Sequence, residues 1–402
     1  MKDHIILISN AYFPNRGGIE NSLYHLAKSY QALGYQIDIL VGDVNQATES
    51  HLPEYEVLDG IAVHRFGAYS KWRRFKLFRP FLRFKNMAAK LNSLSRPSTL
   101  GIISRYHNTT MIAKMVTKLP VLYLVPGVVR VQDKPKNTTE HSSVKTNALQ
   151  YIRLLKHDLV QQIAFRVADV LLVFSDNMKQ QVESCFIFKK PHIGITKPGV
   201  DCDRFLPVSQ TAKQTLREEL ELPTSNEILL GVGRLVRAKG FHFLIESLAH
   251  TSNTMVVILG DGPEKLALEK LADELGVRQR VIFKGVVQEP NYYYQAADMF
   301  VMTSTYEPLG QIVLEAIASG LPVVAFSKQA MPQTATEELL SNQSCVFVNE
   351  ANAKALANGI NQLIKNQELR LTLAATGRQL AQDSFDWTHL ANVLIALIKS
   401  KR

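Results

Sequence analysis

A short apolar run, His4 to Ser9, reads as a first strand. A loop holding Pro14, Gly17 and Gly18 follows. Apolar residues then fall at helical spacing, Leu23, Leu26, Ala27, Tyr30 and Leu33, and Gly34 closes the helix. Gln36 to Asp43 is the next strand, and further strand-like runs lie at Gly101 to Ser104, Val121 to Val125 and Val170 to Phe174. Strands alternating with helical stretches predict a parallel sheet with helices on both faces.

The alternation breaks near Ile193 to Pro207, a stretch rich in Pro, Gly and Asp that reads as a linker. It then restarts. Strands are expected at Glu227 to Gly233, Met255 to Gly262, Val281 to Gly285, Met299 to Ser304 and Leu321 to Phe326. Helices are expected at Phe241 to Ala249, Glu264 to Leu275, Gln311 to Ser319 and Trp387 to Lys399. Two consecutive α/β halves imply a cleft between the carboxyl ends of the two sheets, where a ligand is expected.

Composition narrows the class. A chain of 402 residues exceeds one typical domain, and 46% apolar with 20% charged residues excludes a disordered or collagen-like polymer. No run of 18 apolar residues predicts a membrane span, and the apolar start is too short for a signal peptide. Cys185, Cys202 and Cys345 have no metal-like spacing, which suggests a reducing compartment. The expected location is the cytoplasm.

The net charge of +10 is uneven. Between Asp59 and Asp133 there are 14 Lys and Arg residues and no Asp or Glu, whereas the remaining 32 basic and 36 acidic residues give −4. Such a basic block suits an anionic partner.

Glu307 to Phe326 is the stretch richest in chemistry. Glu307 precedes a helix, Glu315 lies one turn inside it, and Gly310 sits near its start, where free amides and the helix dipole favour a phosphate. A carboxylate accepts from two neighbouring hydroxyls, as in a sugar diol or a ribose. Glu315 fits equally a solvated position early in an amphipathic helix. Arg234 and Lys239 fall on the loop leaving the first strand of the second half, where two cations can neutralise a diphosphate, although surface cations look the same in sequence. Gly17 and Gly18 precede a helix, an arrangement that serves a phosphate or a simple turn.

Together, Gly17-Gly18-Ile19-Glu20, the linker PGVDCDRF, GVGRL followed by Lys239-Gly240, GDGP, and Glu307 with Glu315 resemble the retaining GT-B glycosyltransferases of glycosyltransferase family 4. The likeness runs in order through nearly the whole chain. It implies two Rossmann-like, doubly wound domains facing across a cleft. Residues 1–197 would bind the acceptor and residues 198–385 the nucleotide sugar, with a last helix, 386–402, packing back on the first domain. By the same resemblance Arg234 and Lys239 hold the donor diphosphate, Glu307 touches the transferred sugar, and Glu315 the ribose. Gly285, Val286, Leu309, Gly310 and Gln311 line the donor, and Gly17 and Gly18 lie near the diphosphate and acceptor. Catalysis would rest on Glu307, Arg234 and Lys239. No metal and no obligatory cofactor is implied, since protein cations neutralise the leaving group. Asp201 and Asp203, spaced like a metal-binding pair, fall in the linker and read as structural.

One departure stands out. Many members carry a His-Gly pair where this chain has Pro126-Gly127, so the family's sugar-contacting histidine is not carried over. His107, at the end of another strand of the first half, is the alternative for the acceptor side. From Trp72 to Phe84 aromatics fall every third residue, interleaved with Arg73, Arg74, Lys76, Arg79 and Arg83. That mixture fits a helical element at a lipid headgroup boundary, broken at Pro80, or alternatively core aromatics with a solvated basic rim. The expected enzyme transfers a hexosyl or other glycosyl group, with retention, to a glycan or lipid-linked saccharide in bacterial cell-envelope polysaccharide synthesis. It would sit peripherally on the inner face of the cytoplasmic membrane. The alternatives are an inactive GT-B scaffold acting as a membrane or nucleic-acid adaptor, with nucleic acid disfavoured, or another GT-B enzyme such as an epimerase.

Overall fold

A computed structural model describes residues 2–15, 17–45, 48–67, 79–132, 144–307, 309–330 and 334–402. The chain forms two compact units, Met1–Thr196 with Trp387–Arg402, and Lys197–Asp386. Both are α/β units with mainly parallel sheets, the doubly wound arrangement that the strand–helix alternation predicts.

The first unit holds β1 (His4–Ile8), β2 (Gln36–Gly42), β3 (Tyr55–Leu58), β4 (Ile61–Phe66), β5 (Thr99–Ser104), β6 (Val121–Leu124), β7 (Val170–Val173) and β8 (Gly194–Ile195). Their order is β3-β4-β2-β1-β5-β6-β7-β8, parallel throughout except for β3, which pairs antiparallel with β4. The sequence pattern missed this edge hairpin. Glu56 and Leu58 are only partly buried, so β3 lacks the apolar run that marks the central strands.

Every residue of β1 is buried, because sheet neighbours pair on both sides and helices cover both faces. Asp38 interrupts the apolar run of β2, yet it is buried. It accepts hydrogen bonds from His4 Nε2 at 2.9 Å and His64 Nε2 at 3.1 Å, and pairs with Arg96 at 3.2 Å. Burial alone would raise its carboxyl, but the two histidines outweigh that effect and hold it well below the usual range.

The helix Trp387–Lys399 belongs to this unit. Leu390, Leu394 and Ile398 are buried at helical spacing, His25 stacks on Trp387 at 5.3 Å, and Tyr30 donates to the Ala391 carbonyl at 3.2 Å. Ile398 lies over Gly101 of β5 so closely that a Cβ there would meet its Cγ2 at 2.7 Å.

Two expectations about the basic block change. Trp72, Arg73, Arg74 and Lys76 lie outside the described residues. Pro80 does not break a helix; it lies in the first turn of the helix Arg79–Leu94, where its missing N–H costs no intrahelical bond. Arg79 is exposed at that helix start, whereas Arg83 turns toward the protein, over Phe66 at 5.5 Å and 3.9 Å from Asp43.

The second unit holds β9 (Glu227–Val232), β10 (Thr254–Leu259), β11 (Val281–Gly285), β12 (Met299–Met302), β13 (Val323–Phe326) and β14 (Cys345–Val348), all parallel, in the order β11-β10-β9-β12-β13-β14. Successive side chains supply opposite faces. Leu230, Val257 and Phe300 pack with Leu314 and Ile317 on one side. Leu229, Val256 and Val301 pack with Leu244 and Leu356 on the other. The chain runs outward from β9 through β10 to β11, then returns to start again at β12. The β9/β12 boundary is therefore a topological switch point, where the loops beyond the strand ends diverge and leave a crevice for a ligand.

Candidate functional site at the carboxyl ends of β9 and β12

The loop after β9 carries Arg234 and Lys239, and the loop after β12 carries Glu307. Arg234 is exposed. Lys239 closes the short 3-10 turn Arg237–Lys239 and reaches the Glu307 carboxylate with its Nζ. The two loops are stitched by hydrogen bonds to backbone carbonyls. The Thr305 N–H donates to the Ala238 carbonyl at 2.8 Å, and the Thr303 hydroxyl donates to the Lys239 carbonyl at 2.8 Å. The lysine stem also packs over Gly233, where a Cβ would meet Lys239 Cε at 3.0 Å. A cation on a flexible stem is thus held to one direction.

Gly310 caps the helix Gln311–Ala318 in the left-handed region, φ 67°, and a Cβ there would meet Leu339 Cδ1 at 2.5 Å. Its carbonyl accepts from the Val313 and Leu314 N–H groups at 3.1 and 3.2 Å, and no side chain caps the helix start. A helix N-terminus without a side-chain cap, beside the Lys239–Glu307 pair, is suited to an anion. The Gln311 side chain, expected on the donor, instead donates to the Gly199 carbonyl at 3.1 Å. Leu309 is partly buried beside it. Gly285 ends β11 with φ 70° and accepts from the Gly260 N–H at 2.7 Å, and Val286 after it is exposed.

Glu315 is partly buried, and the Tyr294 hydroxyl donates to its Oε2 at 3.0 Å. Burial pushes its carboxyl up to about 7; the Tyr294 hydroxyl and the Arg204 charge pull it down, and Glu307 pushes it up. Glu315 is therefore no freely solvated helix residue. Neither partner is marked as such in the sequence: Tyr294 lies in the helix Pro290–Ala296 and Arg204 in the PGVDCDRF linker, and both come to act on Glu315 only through the fold. Asp201 Oδ1 accepts from the backbone amides of Asp203 and Arg204 at 3.1 and 3.0 Å, a turn contact within the linker stretch. Among the described residues no three His, Cys, Asp or Glu are grouped as metal ligands.

Gly17, Gly18 and His107 belong to the first unit. Gly17 caps the helix Gly18–Ala32, and a Cβ on Gly18 would meet nothing within 4 Å, so its backbone is open to approach. His107 does not present an open ring. It is buried at the start of the helix His107–Val116, its Nε2 3.4 Å from Nδ1 of His157, and burial lowers it to about 4. Pro126, in the place of the family histidine, follows β6 and is partly buried. Arg105, not singled out from sequence, is fully enclosed after β5 between the Leu124 carbonyl at 3.0 Å and the Phe174 ring at 5.3 Å.

A model of the group 1 glycosyl transferases matches residues 212–380, and a model of glycosyltransferase family 4 matches residues 16–204. The two matches follow one another along nearly the whole chain. This chain belongs to the GT-B glycosyltransferase family.

Among GT-B structures, sucrose-phosphate synthase from Thermosynechococcus elongatus superposes with a TM-score of 0.74 at 22% identity, covering 99% of both chains. HepE from Anabaena, in complex with UDP, gives 0.71 at 20% identity over 100% of both chains. Among curated relatives, the lipopolysaccharide core biosynthesis glycosyltransferase LpsE of Rhizobium meliloti is 34% identical over 185 residues, 46% of this chain and 53% of the relative. The chain thus spans about half the length of that relative, and 57% of a D-inositol 3-phosphate glycosyltransferase of Corynebacterium urealyticum at 31% identity.

Proposed function

We propose that this GT-B protein transfers a sugar from a nucleoside diphosphate sugar to a hydroxyl of a glycan or lipid-linked saccharide, with retention of configuration, in bacterial cell-envelope polysaccharide synthesis. The observation that carries this reading is the Lys239–Glu307 pair at the β9/β12 switch point, beside the uncapped start of the helix Gln311–Ala318. Lys239, Arg234 and that helix start neutralise the diphosphate as the bond to the sugar breaks. Glu307 holds the transferred sugar and orients Lys239. Glu315 accepts from the ribose diol, while Gly285, Val286, Leu309 and Gly310 line the nucleotide with backbone. Gly18 offers an open backbone on the acceptor-binding unit, with Gly17 beside it close to the Glu20 carboxylate.

HepE was captured with UDP and with UDP-glucose, which supports a uridine diphosphate donor here. The naming of LpsE for lipopolysaccharide core biosynthesis supports an envelope glycan as acceptor. Retention rests on the family resemblance. A thermal-shift panel of nucleoside diphosphates and their sugars tests the donor assignment. UDP or a UDP-sugar should raise the melting temperature of the chain; a panel without any stabilising nucleotide would overturn it.

The reading includes reversible docking on the inner face of the cytoplasmic membrane. Among the described residues no helix is long and apolar enough to cross a bilayer. Ile187 and Phe188 are 93% and 82% exposed, and Lys189 and Lys190 follow them directly. Two largely exposed apolar side chains next to two cations, Lys190 being paired with Glu183 at 3.0 Å, suit an anionic headgroup boundary. They add to the basic block Trp72–Arg79 in that role.

A further inference from the structure

Asp43 follows β2 at the carboxyl edge of the first sheet and is completely buried. Its Oδ2 lies 2.5 Å from Nδ1 of His51, whose side chain is 38% exposed. The residues flanking the intervening loop pair with one another. Val44 and His51 form an antiparallel bridge, the Leu52 N–H donates to the Asp43 carbonyl at 2.7 Å, and the Asn45 N–H donates to Ser50 at 2.9 Å. Asn15, in the loop after β1, donates to the Val44 carbonyl at 3.0 Å, and the Gly42 N–H donates to Asn10 at 3.1 Å. The Asp43–His51 pair is thereby fixed to the loop that leads into Gly17 and Gly18. That loop borders the β1/β5 switch point, the ligand side of a parallel sheet.

The chemistry of the pair is directional. A carboxylate only accepts, so Nδ1 of His51 carries the hydrogen, and in the neutral imidazole Nε2 is left with a lone pair. Among the described residues Nε2 has no hydrogen-bond partner. Arg83, 3.9 Å from Asp43 Oδ1, balances the carboxylate charge. With the imidazole neutral, the cluster offers one oriented acceptor. That suits a hydroxyl donor and gives no advantage to an acidic group.

We propose that His51, oriented by Asp43, is an acceptor-saccharide contact of this glycosyltransferase, its Nε2 accepting a hydrogen bond from a sugar hydroxyl. The proposal rests on the transfer reading above and assigns its acceptor side to a residue pair that replaces the enclosed His107. No bond is made or broken at His51; the residue holds a hydroxyl in place.

The test separates this assignment from the donor reading by measuring saccharide binding without nucleotide. Saturation-transfer NMR is run on the full chain with a panel of methyl hexopyranosides, for wild type, His51→Ala and His51→Gln, and UDP affinity is measured in parallel. His51→Ala takes the donor from the buried Asp43 carboxylate and should lower the melting temperature, so circular dichroism checks that it is folded. His51→Gln, whose amide N–H can still donate to Asp43, should stay close to wild type and keeps the test valid. The expected result is saccharide binding by wild type, weakened about threefold to tenfold in His51→Ala and partly restored in His51→Gln, whose amide oxygen can accept. UDP affinity should stay equal in all three. Equal saccharide binding by wild type and His51→Ala, or no saccharide binding by wild type, overturns the proposal. Loss of UDP binding in wild type would instead strike the donor reading, on the other unit.

Discussion

Lys239 Nζ donates a hydrogen bond to the Glu307 carboxylate, joining two residues 68 positions apart. Each half of the pair restrains the other, so either change should affect the reaction more than the fold. Lys239→Ala and Glu307→Gln should each cost on the order of 10²-fold or more in transfer, the loss expected when a preorganised charge at a leaving group is removed. Rates of nucleotide diphosphate release, with circular dichroism as the folding control, check this. Wild-type rates in either folded variant would sink the assignment.

Glu315 titrates where enzymes work. Its carboxyl is raised from 4.5 to about 7, chiefly by burial. Only the ionised form accepts from both ribose hydroxyls, so nucleotide affinity should rise with pH through about 7. The effect on stability has the opposite sign. A raised folded value means that the native state binds more protons than the unfolded chain, so this stabilisation is full below 4.5 and lost as pH rises through about 7. Glu315→Gln should flatten both profiles, and Glu315→Ala should raise the donor KM more than it lowers kcat. Tyr294→Phe removes a hydroxyl that stabilises the carboxylate, so the midpoint of nucleotide binding should move to higher pH. Calorimetric titration with UDP from pH 5.5 to 8.5 checks the affinities, thermal melts over the same range the stability, and steady-state kinetics the KM–kcat split; unchanged affinity in Glu315→Ala would end the ribose role.

Gly240 is a sharp structural probe of the β9 loop. It adopts φ 65°, and a Cβ would sit 2.1 Å from the Thr303 carbonyl oxygen. Gly240→Ala must move backbone that holds Lys239, and the strain should cost about 1–3 kcal/mol. Urea unfolding measures the loss, which should be accompanied by weaker nucleotide binding. A variant with native stability and affinity would show that the loop tolerates displacement.

The helix Trp387–Lys399 should stabilise the first unit. Leu394 is fully buried in it, and Leu394→Ala should cost about 2–5 kcal/mol through lost burial and a residual cavity. The expected signature is earlier unfolding of the first unit with UDP binding by the second unit retained. Retention of full stability would show that the helix contributes little there.

The exposed pair Ile187 and Phe188 should govern membrane docking together with neighbouring cations. Co-sedimentation with anionic liposomes in moderate salt should be strong for wild type and weak for Ile187→Ser/Phe188→Ser. Replacing Arg73, Arg74, Lys76 and Arg79 with Glu tests the basic block in the same assay. No binding by wild type, or wild-type binding by both variants, would remove the membrane from the account.

The sequence by itself determined the alternation of strand and helix, because strands buried on both faces need continuous apolar runs such as Ile5 to Ile8 and Leu229 to Leu230. It also marked the loops that carry Lys239, Glu307 and Gly310, since glycines at tight approaches and charges at strand ends leave a local trace. Only the tertiary structure decided what required distant partners. Asp38 in a core strand is intelligible once His4 and His64 reach it. Glu315 becomes a titrating group rather than a surface charge only where Tyr294 and its surroundings enclose it. Histidine was the hardest residue to read. His107 and His51 look alike in sequence, and the fold enclosed the first behind its own sheet edge while it left the second open on a buried carboxylate. Burial and hydrogen-bond geometry are properties of residues far apart in the chain, so local spacing could not distinguish the two.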